Sequence, residues 1–448
     1  MPRVKSGRAL LILVVAVAAV ICASIDRAVS AQAGGDPTPG SVPAAMLPTP
    51  AELSARALRE WVTKNPDTNV GGVAIPGPDF KSVVVYWKGT PPAGLQSLAA
   101  AQPVPVTFQV SRYSLADLDP IARKMMADHG DVVSSTGPSH DYSGISVMLR
   151  SKAPIEATMA DLNAKSSVPV IFDRVADTTE LSGNTTASTS SSRAQAGCVE
   201  PARCADTPNF YGGGLIRVRG LTPIWTRPCS TGVALYAGVH EYMTTAAHCG
   251  SSGTWVSYGN GQVLGSVNTS LGHYKPDPGD IMIIEAPNTF RTWNGVWNTR
   301  VSQPVTGMAR PGEGDQVAVS GGVSGNNNPQ RVESIGRYWD TTTARSVGPG
   351  FFVDPYVTDR IWGYVTNGDS GSPVIRSDGH GNFEIFGFLS IGQNSVSTPA
   401  NCSPGRNPDF PPTTPVKGYC FGDFFAMYPD IAIGSYAGVH LKTVSDPG

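Results

Sequence analysis

Charge is scarce in this chain and nearly balanced. Over 448 residues, Lys and Arg number 33 against 35 Asp and Glu, and charged residues make up only 15%. A formal net charge of −2 gives no electrostatic case for a nucleic-acid partner. Long apolar runs are also missing, with one exception at residues 9–23. That run holds 15 residues, short of the roughly 20 that a spanning helix needs, so no stable membrane anchor is expected. Metal-ligand patterning is absent too, because no cysteine pair has two-to-four-residue spacing joined by a matching His pair. No metal and no other cofactor is expected.

What is present starts with export. A basic opening, Pro2-Arg3-Val4-Lys5-Ser6-Gly7-Arg8, precedes the apolar run, and small residues at Ala31 and Ala33 offer cleavage points. Residues 1–31 therefore read as a signal peptide, and the mature protein as secreted and extracellular. Cys22 is not a lipidation site on this reading, since Ile21 stands where a lipoprotein signal needs a small residue. With Cys22 set aside, six cysteines remain at 198, 204, 229, 249, 402 and 420. An even count in an exported chain predicts three disulfides. Sequence proximity suggests Cys198–Cys204 and Cys402–Cys420.

The length suits two or three domains. Residues 32–50 form a Pro-, Gly- and Ala-rich lead. Helical spacing of Leu53, Ala57, Leu58 and Trp61 then predicts a helix over 51–64, followed by strands at 82–87, 104–110, 144–149 and 168–172 and helices at 95–101, 115–129 and 155–165. Strands alternating with helices imply a small α/β domain within 32–177. His129 and His140 in it read as solvated or structural. The stretch Thr185-Thr186-Ala187-Ser188-Thr189-Ser190-Ser191-Ser192 is too polar to pack and marks a linker over 178–204, with Arg193 near a processing region. From 205 to 448 the pattern is short strands with Gly, Pro and Asn between them, and with 50 Gly and 38 Pro this predicts an all-β body of twelve strands.

Three short blocks in that body carry chemistry. Gly368-Asp369-Ser370-Gly371-Ser372-Pro373 is a tight turn that lifts one hydroxyl and leaves backbone N–H groups free, as an oxyanion requires. A surface turn has the same composition. A Ser hydroxyl is a weak nucleophile without a base, and a base needs an orienting group. Thr244-Thr245-Ala246-Ala247-His248-Cys249-Gly250 offers the His, and Gly279-Asp280-Ile281-Met282-Ile283-Ile284 offers an acid at the head of an apolar strand. His240 and His273 are rivals by proximity, and Asp277 by its nearness to Asp280, but none has this context. The order His248, Asp280, Ser370 differs from the other common triad orders.

In these blocks the chain resembles the chymotrypsin-like serine peptidases, and most closely their secreted bacterial branch, that of streptogrisin and alpha-lytic protease. The resemblance implies two six-stranded antiparallel barrels with the triad between them, His248 and Asp280 from the first and Ser370 from the second. It also implies a Cys229–Cys249 disulfide, an oxyanion hole from the N–H groups of Gly368 and Ser370, and a substrate-pairing strand through Ser390, Ile391 and Gly392. Tyr364 would stand at the base of the specificity pocket, and Ser390 would hydrogen-bond Asp280. No charge is expected in that pocket, because Tyr364 and Leu389 stand where charge-selecting relatives carry an acid or a His. Apolar residues before the cleaved bond are therefore expected, with the 393–418 insertion free to reshape the rim.

The 32–177 domain occupies the place of a pro-region that assists folding and then inhibits. The implied partners are polypeptide substrates and the chain's own pro-domain, in a monomer. Two departures stand out. Ser372 replaces a usual Gly, and Asp369 lacks the cation that relatives supply, since Val317-Ala318-Val319-Ser320-Gly321-Gly322 has no Arg. Arg310, Arg331 and Arg337 are candidates. A catalytically silent binding protein and a serine esterase are the alternatives.

Overall fold

The computed structural model describes residues 42, 46–176, 178–180, 199–219, 228–250, 253–267, 279–326, 329–341, 344–354, 365–396 and 420–446. The expected signal peptide, Cys22, the polar 185–192 stretch, Arg193, Cys198, His273, Asp277, Tyr364, Cys402 and most of the 393–418 insertion lie outside them. Residues from Val42 onward form one compact unit.

Helix α1 (Pro50–Lys64) opens on a capping box in which Thr49 and Glu52 satisfy each other's backbone N–H groups. Its buried face, Ala51, Ala55 and Leu58, packs on a small sheet. That sheet is β1 (Val70–Ala74), β2 (Val83–Trp87) and β3 (Val106–Val110), with α2 (Ala93–Ala100) beside it. Helices α3 (Leu115–His129) and α4 (Ile155–Lys165) cover a second layer made of β4 (Val133–Pro138), β5 (Ile145–Leu149) and β6 (Val170–Val175). The pairing β4 to β5 is antiparallel and β5 to β6 parallel. This is the α/β region expected from the alternation of patterns. Two of its strands, β1 and β4, were not predicted.

The C-terminal half is mostly β. Its first sheet contains β9 (Leu215–Val218), β10 (Cys229–Ser230), β11 (Ala234–Ala237), β12 (His240–Thr245), β13 (Thr254–Ser257), β14 (Val263–Val267), β15 (Met282–Glu285) and the C-terminal β26 (His440–Leu441). Met282 and Ile284 of β15 face one core while Ile281 and Ile283 face another. Burial on both sides explains the uninterrupted apolar run after Asp280.

The second sheet is larger than one barrel. It contains β18 (Gln316–Gly321), β19 (Gly325–Asn326), β20 (Gln330–Asp340), β21 (Arg345–Asp354), β22 (Val365–Thr366), β23 (Pro373–Ser377), β24 (Phe383–Val396) and β25 (Cys420–Met427). Beside it lie β8 (Phe210–Gly212), β16 (Asn288–Trp293), β17 (Ser302–Met308) and helix α5 (Pro429–Gly434). Strand β20 then pairs with β4, Arg337 opposite Thr136 and Tyr338 opposite Ser135, so the sheet runs on through β5 and β6. The backbones approach closely there, since a Cβ on Gly137 would stand 2.0 Å from the Ile335 carbonyl oxygen.

Twelve strands in two equal groups is therefore too simple a description. The first sheet borrows β26 from the chain's end, and the second continues into the N-terminal region. Ion pairs line that junction: Arg376 to Glu52 at 2.8 Å, Arg174 to Glu333 at 2.7 Å, His140 to Glu313 at 2.9 Å, and Arg56 to Glu384 and Arg59 to Asp315. Neither end of the 178–204 stretch stands apart from the fold. Strand β7 (Thr178–Glu180) pairs with β24, and Ala202, Arg203 and Cys204 are buried. Among the described residues no helix is long and apolar enough to cross a membrane.

Candidate active site

His248 sits in a single 3-10 turn, Ala247–Cys249, directly after β12. Small residues precede it because Ala246 and Ala247 pack into the first core, and Cys249 is bonded to Cys229 of β10. That disulfide is the pairing the resemblance implied. Asp280 stands two residues before the start of β15, after Gly279 at φ +91°. Antiparallel pairing of β15 with β12 brings the two residues together, with Thr245 opposite Met282.

The backbone N–H of His248 donates to Asp280 Oδ1 at 3.0 Å, and its Nδ1 lies 2.9 Å from Asp280 Oδ2 and 3.1 Å from Oδ1. A carboxylate only accepts, so Nδ1 carries the proton. Nε2 is then the acceptor, and it lies 2.8 Å from Ser370 Oγ. The Asp280 carboxylate also receives the Ser390 hydroxyl. His240, the rival within the described residues, lies instead 3.5 Å from Glu285 on the surface.

Ser370 lies on a turn held from several directions. Gly368 and Gly371 have φ of +101° and +84°, and a Cβ on Gly371 would stand 2.5 Å from the Ala246 backbone nitrogen. A side chain would be strained at either position. Ser230 ties the turn to the first sheet, its N–H donating to the Ser370 carbonyl and its hydroxyl to the Gly368 carbonyl, each at 2.8 Å. Gly371 N–H donates to the Leu389 carbonyl and Leu389 N–H to the Ser372 carbonyl, fixing the turn against β24. Among the described residues the N–H groups of Gly368 and Ser370 donate to nothing.

Asp369 is fully buried, and burial raises its carboxyl above the usual range while backbone donors pull it back. Those donors are Val323 N–H at 2.9 Å, Ser324 N–H at 3.0 Å and Thr366 N–H at 2.9 Å. Arg203, also fully buried, is a cation that Asp369 attracts, and its guanidinium is drawn down to about 9 by burial against that attraction. Arg203 binds the Gly321 carbonyl and, at 2.7 Å, Asn326 Oδ1, on the loop that supplies two of the donors. The three cations considered from sequence face other groups. Arg310 pairs with Asp430, Arg331 binds the Ile75 carbonyl, and Arg337 binds the Gly348 carbonyl and Asp119.

Ser390, Ile391 and Gly392 lie on β24 as expected, and Tyr364 lies outside the described residues. Facing them, β7 runs antiparallel with Glu180 opposite Ile391, Thr179 opposite Gly392 and Thr178 opposite Gln393. Cys204 is disulfide-bonded, while its expected partner Cys198, and Cys402, are outside the described residues. Sequence reasoning did not find Arg203, Ser230 or β7. Arg203 and Ser230 each adjoin a cysteine, the one local signal that they belong to a constrained framework.

No curated protein sequence matches this chain. Among solved structures, Thermobifida fusca protease A is 17% identical with a TM-score of 0.34, covering 52% of this chain and 98% of its own. Cellulomonas bogoriensis chymotrypsin is 16% identical with a TM-score of 0.33, and a Nocardiopsis protease 18% identical with 0.34, each covering 52% of this chain and 98% of its own. The sequence model of the Trypsin family matches residues 230–417, a span that holds His248, Asp280, Ser370 and the Ser390 to Gly392 strand. Residues 230–417 are thus similar to the chymotrypsin-like serine peptidases of the trypsin family.

Proposed function

We propose that the chain is a secreted serine endopeptidase, made as a pro-enzyme, that cleaves peptide bonds through a Ser-His-Asp acyl-enzyme mechanism. The observation that carries this is the unbroken hydrogen-bond line from Ser370 Oγ through His248 to Asp280, beside two free N–H groups. Ser370 Oγ attacks the scissile carbonyl while His248 Nε2 takes its proton. The carbonyl oxygen becomes an oxyanion received by the N–H groups of Gly368 and Ser370, each such donor being worth ~2.7–4 kcal/mol to the transition state. His248 then delivers its proton to the leaving amine, and water releases the acyl group by the same steps. Asp280 keeps Nδ1 protonated and stabilises the imidazolium.

On this reading the two sheets of the C-terminal half act as paired barrels with the cleft between them, and substrate adds as a strand along Ser390 to Gly392. Strand β7 supports the pro-enzyme assignment. It lies where substrate would pair, and Ser370 has no exposed surface in this arrangement. Residues 32–177 with β7 are the pro-region, and active enzyme arises by cleavage beyond Glu180. With no charge at the pocket positions read from sequence, a buried Lys, Arg or Glu is disfavoured, whereas an apolar side chain gains ~1.5–3 kcal/mol from burial.

The test is labelling of the secreted, processed protein by a fluorophosphonate, followed by turnover of a peptide library and of ester substrates. Stoichiometric labelling of Ser370 with faster peptide than ester turnover at apolar sites is expected. An unlabelled protein, or one that cleaves only esters, overturns the assignment.

A further inference from the structure

One buried hydroxyl that the mechanism above does not use lies next in line beyond Ser390. Tyr338, on β20, is 2% exposed, and its Oη stands 2.8 Å from Ser390 Oγ. Ser390 has a single proton, and it goes to the Asp280 carboxylate. The bond between the two hydroxyls can then run in one direction only, from Tyr338 to Ser390. We infer that Tyr338 is a positioning residue for the hydrolysis, donating its phenolic proton to Ser390 and so holding the Ser390 hydroxyl on Asp280. The inference rests on the serine peptidase reading of the site.

Hydrogen bonds then converge on Asp280 from two sides, Tyr338 to Ser390 to Asp280 and Ser370 to His248 to Asp280, each donor polarising the next. Packing fixes the Tyr338 end. The Tyr338 ring meets the Phe425 ring edge-on at 5.0 Å and 67°, within the core cluster that also holds Ile281 and Ile283 of the strand after Asp280. The hydroxyl therefore meets Ser390 from a position set by the core, where Ser390 alone could turn about its own χ1. The Tyr338 backbone is also where β20 meets Ser135 of β4, so this outermost donor sits on the edge that receives the N-terminal region.

The experiment is Tyr338→Phe, which keeps the ring contacts and removes only the donor. Without it the Ser390 hydroxyl is released from one fixed orientation, Asp280 is held less firmly, and its charge on the imidazole is less compensated. In processed enzyme, kcat with a peptide substrate is expected to fall about three- to tenfold with KM within about twofold. The acid limb of the kcat/KM profile moves to higher pH, because His248 holds its proton more tightly. In a Ser390→Ala background the same change is expected to add nothing. Unchanged kcat and pH profile, or a loss that recurs in full in the Ser390→Ala background, overturns the inference.

Proton NMR of the full chain gives a readout independent of turnover. The His248 Nδ1–H resonance is expected to move downfield in Tyr338→Phe, and an unmoved resonance counts against the role even if the variant processes poorly. Failure of the peptidase reading looks different, since the wild-type protein would then neither label nor turn over.

Discussion

On the proposed mechanism, hydroxyl, imidazole and carboxylate at Ser370, His248 and Asp280 act as one device, so removing any one removes the function of the others. Ser370→Ala and His248→Ala are each expected to abolish nearly all peptide hydrolysis while the far-UV spectrum and melting temperature stay close to wild type. The double variant should be no worse than either single one, and normal turnover by purified Ser370→Ala protein would remove Ser370 from the mechanism. A second residue-scale expectation concerns Arg203, whose buried guanidinium faces Asp369 through the Gly321 loop. Leaving a buried acceptor without its donor typically costs ~1–3 kcal/mol, and Arg203 serves two. Arg203→Met should accordingly lower unfolding stability by about that amount in denaturant titration. It should also slow fluorophosphonate labelling, because the loop that supplies N–H groups to Asp369 loses its anchor.

At the scale of elements, the proposed function sets β7 and substrate in contest for one edge of β24. A strand adds by main-chain hydrogen bonds, so its hold is broken by a residue that cannot donate. Thr179, opposite Gly392, is the middle of the three paired residues. Thr179→Pro in the full chain is expected to raise the rate of Ser370 labelling by fluorophosphonate at least severalfold and to leave the labelling of processed enzyme unchanged. Equal labelling of the two full-length forms would show that β7 does not close the site. The β20 to β4 pairing works on a different principle. It fuses two regions into one sheet through a Gly137 backbone close to Ile335, which leaves docking dependent on small residues there.

For the whole molecule, the junction of the N-terminal and C-terminal regions is held by ion pairs, and one of them loses its charge in mild alkali. The carboxylate of Glu313 raises the His140 imidazole from its ordinary range to about 9. A raised His pKa means that docking is strengthened while both states are protonated, below about 6.5, and that this gain is lost as pH rises through about 9. Burial raises the Glu313 carboxyl, so the same pair also weakens in acid once that group is neutral. The His140 side chain is 71% exposed, so salt should screen much of the effect. Co-elution of the cleaved N-terminal region with the peptidase body is expected to fall between pH 7 and 9.5 at low salt. His140→Gln should flatten that dependence, and a wild-type profile equally flat would dismiss the pair as a contributor.

Much of this protein was legible from local runs of residues. Helices α1, α3 and α4 follow from apolar spacing, with capping residues at Thr49 and Ser114 for the first two, and the strands around His248, Asp280 and Ser370 follow from short apolar runs between Gly and Pro. The site's three blocks could be read because each encodes its own geometry: small residues before His248, a doubly buried strand after Asp280, glycines where φ must be positive around Ser370. Other features have no local signature. Strand β4 reads Val133-Ser134-Ser135-Thr136-Gly137-Pro138, with no alternation to mark a strand, and it is one because β5 and β20 pair with it on either side. Arg203, Ser230 and Tyr338 meet the site across many intervening residues, and β7 is a strand only because β24 offers an edge. A hydrogen bond between distant residues leaves no periodicity in either segment. Sequence alone therefore determined which groups could do the chemistry, while tertiary packing decided what holds them, what surrounds Asp369 and what lies across β24.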